Sequence, residues 1–170
     1  MIQVSLDTSF LISFADPDRP NHSVAVDYFR HCLGLRIPMW ISVVAAGEFE
    51  VGQPVSDLPL QNFRLQPYNL PHAIRAAALF RKLREIPAAA AEDRRPVIIN
   101  DLKIIAQAEE EQIPVILTED KNTLSRIAVR LRQDSAISLR VLLLSEGFTP
   151  GRLETPAQDE FSLPPHPPNH

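Results

Sequence analysis

Four acidic residues carry the chemistry this chain can be expected to do: Asp7, Glu48, Asp101 and Asp120. Asp7 lies in the stretch Ile2 to Ile12 (IQVSLDTSFLI) where a short apolar run gives way to a turn, and Asp120 follows the run PVIL through Thr118 and Glu119. Both read as carboxylates at the carboxyl ends of strands, the edge where ligands of open α/β sheets gather. In a helix beginning after Ser42, Glu48 has Val44, Ala45 and Val51 at i−4, i−3 and i+3. It therefore reads as lying on an apolar face. Asp101 repeats the pattern with Ile98, Ile104 and Ile105, although aspartate is a poor helix-interior residue. Burying an ionised carboxylate without compensation costs several kcal/mol, on the order of 3 or more. Four such groups at one sheet edge would repel one another unless a cation sat between them. Oxygen-only ligands suit Mg²⁺ or Mn²⁺ better than zinc, and such sites work mostly on phosphate esters.

Each residue also has a structural reading by itself. Asp7 and Asp120 stand where helix N-caps are wanted, with Thr8 and Ser9 as further capping or orienting hydroxyls. Glu48 could answer an arginine, and Asn100 beside Asp101 could be a ligand or an early-turn cap. Thr118 and Asn122 flank Asp120 as supporting hydrogen-bonding groups. It is the set of four that favours a metal site.

The elements that must position these residues alternate between short apolar runs and amphipathic helices. Asn21 is placed to cap a helix whose buried face is Ala25, Tyr28, Phe29, Cys32 and Leu33. MWIS then reads as a strand, Ser42 as an N-cap, and VVAAGEFEVG as a helix stopped by Gly52 and Pro54. A brief strand is expected at Phe63 to Leu65, followed by a helix opened by Pro71 with Ala76, Leu79, Phe80, Leu83 and Ile86 on one face. That helix carries Arg75, Arg81, Lys82 and Arg84, which read as a solvated outer face. AAAAEDRR fits either helix or loop. VIINDLKIIAQAEEEQ reads as a helix, KNTLSRIAVRLRQ as another, and Arg140 to Leu144 as a last strand. The pattern predicts an α/β domain with three layers, α/β/α, around a central parallel sheet. We expect this domain over residues 1–147, with 148–170 a Pro-rich, disordered tail whose His166 and His170 are bystanders.

Bulk properties agree with one such domain. The chain has 170 residues, of which 45% are hydrophobic and 22% charged, and the 16 prolines are its one unusual feature. No apolar run is long enough to cross a bilayer and no secretory leader is evident, so a cytoplasmic, membrane-free protein is expected. The single Cys32 has no partner in the chain and falls on an apolar stripe, which reads as core. A net charge of −4 argues against binding nucleic acid by diffuse positive charge alone. Divalent cations would supply the missing charge locally.

LDTSFLI, the glutamate in the helix after the second strand, NDLKIIAQA and VILTED together resemble the PIN-domain ribonucleases, in particular the VapC-like toxins of toxin–antitoxin pairs. The resemblance runs from about Ile2 to Leu144. It implies a PIN-like three-layer fold, Mg²⁺- or Mn²⁺-dependent endoribonuclease activity on an RNA substrate, frequent homodimerisation and, for toxin members, inhibition by a small antitoxin protein. Carried onto this sequence, the family's acidic positions match Asp7, Glu48, Asp101 and Asp120, and its hydroxyl matches Ser9 in preference to Thr8. Some relatives place a further acid where this chain has Asn122.

The mechanism expected is hydrolysis of an RNA phosphodiester assisted by one or two cations, with Asp101 or Asp120 accepting a proton from water. Lys121, Arg126 and the helix near Arg81 are candidates for positioning the backbone. An alternative is a stand-alone or catalytically silent PIN-domain protein that binds RNA or a protein partner. A phosphatase of another α/β fold would want a second aspartate where Ser9 sits.

Overall fold

β1 (Val4–Leu6) is the axis of the domain. Its three residues are buried, and it is paired in parallel on both sides, with β2 (Met39–Ser42) and β4 (Val115–Thr118). The computed structural model describes residues 2–85 and 95–154. Within them β3 (Arg64–Gln66) pairs with β2 and β5 (Arg140–Leu143) with β4, giving a five-stranded parallel sheet in the order β3-β2-β1-β4-β5. The chain builds outward from β1 in one direction and then crosses to the other, so the strand order reverses beside β1. That reversal opens a crevice at the carboxyl ends of the strands.

The helices between these strands are α1 (Thr8–Ala15), α2 (His22–Gly34), α3 (Val43–Gly52), α4 (Leu70–Glu85), α5 (Arg95–Glu110) and α6 (Arg126–Gln133), with a short α7 (Gly151–Glu154) after β5. Helices flank the parallel sheet in the expected three layers, because strands as short and apolar as VSL and VILT must be covered on both faces. Tyr28 and Cys32 are wholly buried, and burial pushes the Cys32 thiol up to about 11, as befits a core residue. Phe14 packs on Phe10, Phe29 and Phe63 with ring centroids 6.3, 4.8 and 6.3 Å away, which fixes α1 against α2 and the approach to β3.

Several details differ from expectation. Asn21 precedes α2 but makes no side-chain cap, and its Nδ2 donates instead to Glu119 at 2.8 Å. Leu33 ends the α2 stripe exposed, and β3 begins at Arg64. The helix expected from Lys121 opens instead as a π-helical turn, Lys121–Ser125, before α6. Beyond residue 147, Phe148 meets Tyr28 edge-on at 4.9 Å and Leu153 of α7 is buried. AAAAEDRR up to its last arginine, Ile86, and the terminal stretch with His166 and His170 lie outside the described residues.

One buried amide ties α5 to the sheet. Gln107 Nε2 donates to the carbonyls of Gln66 (3.2 Å) and Pro67 (3.3 Å), Gln66 Nε2 donates to the Gln107 carbonyl (3.1 Å), and Ser42 Oγ donates to Gln107 Oε1. Replacing Gln107 by leucine removes those donors from a dry site. We expect Gln107→Leu to lower the unfolding free energy by about 2–4 kcal/mol, measured by urea denaturation. A change within experimental scatter would mean that the amide does not anchor α5.

Candidate active site

Leu6 lies opposite Ile41 and Leu117, so the next residues bring Asp7, Ser42 and Thr118 together at the carboxyl edge. The Asp7 N–H extends the ladder to the Leu117 carbonyl at 3.1 Å. Its carboxylate then caps α1 and is only 4% exposed. Oδ2 accepts from Thr118 Oγ1 at 2.7 Å, Ser9 Oγ at 2.8 Å and the Ser9 N–H at 3.3 Å. Burial pushes Asp7 above the usual carboxylate range, and the bonds from Thr118 and Ser9 offset this only in part.

Ser9 and Thr118, both expected as supporting groups, form the joint between the exits of β1 and β4. Their hydroxyls are 2.9 Å apart, Ser9 Oγ accepts the Glu119 N–H at 2.8 Å, and Thr118 Oγ1 accepts the Asp120 N–H at 2.9 Å. Asp120 thereby enters the π-helical turn as its N-cap. It accepts the N–H groups of Asn122 and Thr123, each at 2.9 Å, and the Thr123 hydroxyl. Burial alone would raise its pKa, but the bonds from Thr123, Leu124 and Asn122 prevail and hold it below the ordinary value. Asn122 contributes its backbone N–H while its side chain is exposed.

Asp101, 8% exposed, rises from α5 with Ile98, Ile104 and Ile105 buried around it as expected. Its Oδ2 is buried without a hydrogen-bond partner among the described residues. Burial first, and then the charges of Asp7, Asp120 and Glu48, push its pKa up to about 8, although the Thr123 hydroxyl acts the other way. Asp101 is therefore within electrostatic reach of Asp7, Asp120 and Glu48. Glu48 corrects one expectation: the buried face of α3 is Ala45 and Phe49, Val51 is 90% exposed, and Glu48 is half-buried at the border. It is held there by the Thr8 hydroxyl and by Asn100 Nδ2 at 2.7 Å.

Among the described residues, no three His, Cys, Asp or Glu side chains already enclose a metal position. The reason is visible in the bonding, since Glu48 is turned to Thr8 and Asn100 and Asp120 to the turn it caps. The unpartnered Asp101 Oδ2, within electrostatic reach of three other carboxylates in an oxygen-only set, is the feature that fits a hard divalent cation.

Three participants were not anticipated. Thr123 bridges Asp120 and Asp101, a role that a regular helix from Lys121 would not have revealed. Asn100, weighed as ligand or cap, instead orients Glu48. Glu119 receives Ser13 Oγ at 2.6 Å, Arg19 at 2.9 Å and Asn21, which fastens the α1–α2 connection to the end of β4. Two of the α4 cations are engaged elsewhere, Arg75 donating to the Ala136 carbonyl at 2.7 Å and Lys82 pairing with Asp134 at 2.8 Å, while Arg81 and Arg84 are exposed as expected.

An open parallel α/β domain with converging acids at the strand reversal defines the class. A model of the PIN domain family matches residues 4–130, and the chain belongs to that family. No curated protein matches the sequence. Among solved structures, VapBC2 from Rickettsia felis, bound to a promoter DNA fragment, is 14% identical, with 83% of this chain and 98% of that one covered at a TM-score of 0.57. DNA-bound VapBC from Salmonella typhimurium is 17% identical, covering 85% and 99% at 0.55. VapC20 of Mycobacterium tuberculosis, a toxin that cleaves the sarcin–ricin loop, is 14% identical, covering 75% and 95% at 0.52. These likenesses establish a shared fold. Among the described residues no helix is long and apolar enough to cross a membrane.

An unfolded aspartate releases its proton near 3.8, whereas folded Asp101 keeps it to about 8. Between those values the folded state binds the extra proton, so stability falls as pH rises through that window. In metal-free protein, Asp101→Asn should therefore raise the thermal midpoint at about pH 8, and the advantage should vanish near the ordinary aspartate pKa. An unchanged or lower midpoint at the alkaline end would contradict the repulsion described.

Proposed function

We propose that this chain is a Mg²⁺- or Mn²⁺-dependent endoribonuclease, and the toxin of a VapBC-type toxin–antitoxin pair. The observation that carries the reading is the buried, unpartnered Asp101 Oδ2 whose carboxyl feels the charges of Asp7, Asp120 and Glu48. Membership of the PIN domain family and the fold shared with VapC proteins support it.

A divalent cation held by Asp7, Asp101, Glu48 and Asp120 would neutralise their mutual repulsion and supply Lewis acidity toward a phosphoryl oxygen. The chain's own residues supply the rest. Ser9 and Thr118 hold Asp7 in one orientation, so its charge stays aimed at the crevice. Asp101 keeps its proton up to about 8 in the metal-free fold, so it must release that proton before it can accept one from the attacking water, the role we assign it. Asp120 stays ionised through its bonds to the turn. Asn100 and Thr8 hold Glu48 within reach of the others.

In this reading the chain works in the cytoplasm as a homodimer, and the VapBC complexes support its restraint by a small antitoxin protein. A second reading, a silent scaffold that binds RNA or a protein, draws on one observation, the absence among the described residues of a ready-made metal enclosure.

Cleavage decides between them. Purified protein should cut a panel of single-stranded and structured RNAs, a sarcin–ricin hairpin among them, only with Mg²⁺ or Mn²⁺ present. Asp7→Asn and Asp101→Asn should each reduce the rate by at least about 100-fold, as expected when a charge-holding or proton-transfer group is lost. Full cleavage by either variant would overturn the assignment.

A further inference from the structure

We infer that the open groove running along α6 carries the RNA strand whose phosphodiester enters the acidic site; this rests on the nuclease reading only for where the strand leads. The groove, about 1060 Å³, is walled by the π-helical turn and α6 on one side and by β5 and the residues after it on the other. Among the described residues four cations line it, Lys121, Arg126, Arg130 and Arg152, against one acid, Glu146. In a chain of net charge −4 this is a local reversal of sign. Glu146 does not cancel it, since Arg152 already holds that carboxylate at 2.5 Å. Lys121 and Arg130 make no ion pair with other described residues, in contrast to Arg75 and Lys82 on α4.

Position decides what the groove leads to. It begins at Lys121, Asn122 and Thr123, the residues that follow Asp120, and Thr123 is the group that bridges Asp120 and Asp101. The mouth of the groove is therefore the turn that Asp120 caps. Lys121 and Arg130 are separated by nine positions, roughly 13 Å along a helix axis. That spacing suits separate phosphates of one extended strand better than a single small anion. Asn122, Ser125 and Gln133 add neutral hydrogen-bonding groups along the floor, which suit ribose hydroxyls and phosphate oxygens.

The test measures binding separately from cleavage. A short fluorescein-labelled, uridine-rich RNA is titrated with full-length protein in EDTA at several salt concentrations and read by anisotropy. Lys121→Ala combined with Arg130→Ala should weaken binding by about tenfold or more and make the salt dependence shallower by about 1.4 in log–log slope, the loss of two phosphate contacts to a single strand. Arg64→Ala, an exposed cation on β3 at the opposite edge of the sheet, should leave both unchanged. Equal affinity and slope for the double variant and wild type would overturn the inference. So would wild-type protein that ignores the RNA but binds an acidic peptide through the same two residues, which would give the groove to a protein partner. Intact, groove-dependent binding without metal-dependent cleavage would support the groove while removing the nuclease reading.

Discussion

A carboxylate ends the central strand of this sheet in a place where water cannot solvate it. β1 is covered on both faces and paired on both edges, so Asp7 emerges into the crevice between β2 and β4 already buried. Its charge must be answered by nearby donors, and the hydroxyls of Ser9 and Thr118 do this. The same two hydroxyls accept the N–H groups of Glu119 and Asp120, so the exits of β1 and β4 are bound into one unit. The π-helical turn, the start of α6 and the mouth of the groove beside it take their positions from that joint.

The site divides its charges unevenly, and the division has physical causes. Asp120 is kept ionised by the turn it caps, whereas Asp101 has little but apolar neighbours and other carboxylates around it. Close-set acids cannot all ionise without a counter-charge, and Asp101 absorbs the conflict. An apolar residue there would pack among Ile98, Ile104 and Ile105 with less difficulty, so the aspartate is hard to explain by stability. A site whose acids are tolerable only when a cation shares their charge couples binding to deprotonation.

Much of this arrangement was legible in the residues. Short apolar runs alternating with helical periods gave the parallel α/β/α architecture, and Asp7, Asp101 and Asp120 fall where strand ends and a buried helix face put them. Glu48 was reached by a flawed step, because α3 turns Ala45 and Phe49 inward and leaves Val51 in solvent. Its closeness to the other acids comes from how α3 meets α1 and α5, which periodicity within one helix does not report. Thr123 and Glu119 were hidden for related reasons. A π-helical turn changes which side chains face back along the chain, and the Asn21 amide that local sequence assigns to capping α2 is claimed by Glu119 across the fold.

If Asp101 holds a proton until a divalent cation joins the four carboxylates, metal binding must displace that proton. The most direct measurement is calorimetric titration of Mn²⁺ into the wild-type protein near neutral pH, repeated in buffers of different ionisation enthalpy. Binding should be saturable and accompanied by release of close to one proton, about what a group with a pKa near 8 must surrender when it becomes a ligand. Binding with no proton released, or no binding at all, would contradict it.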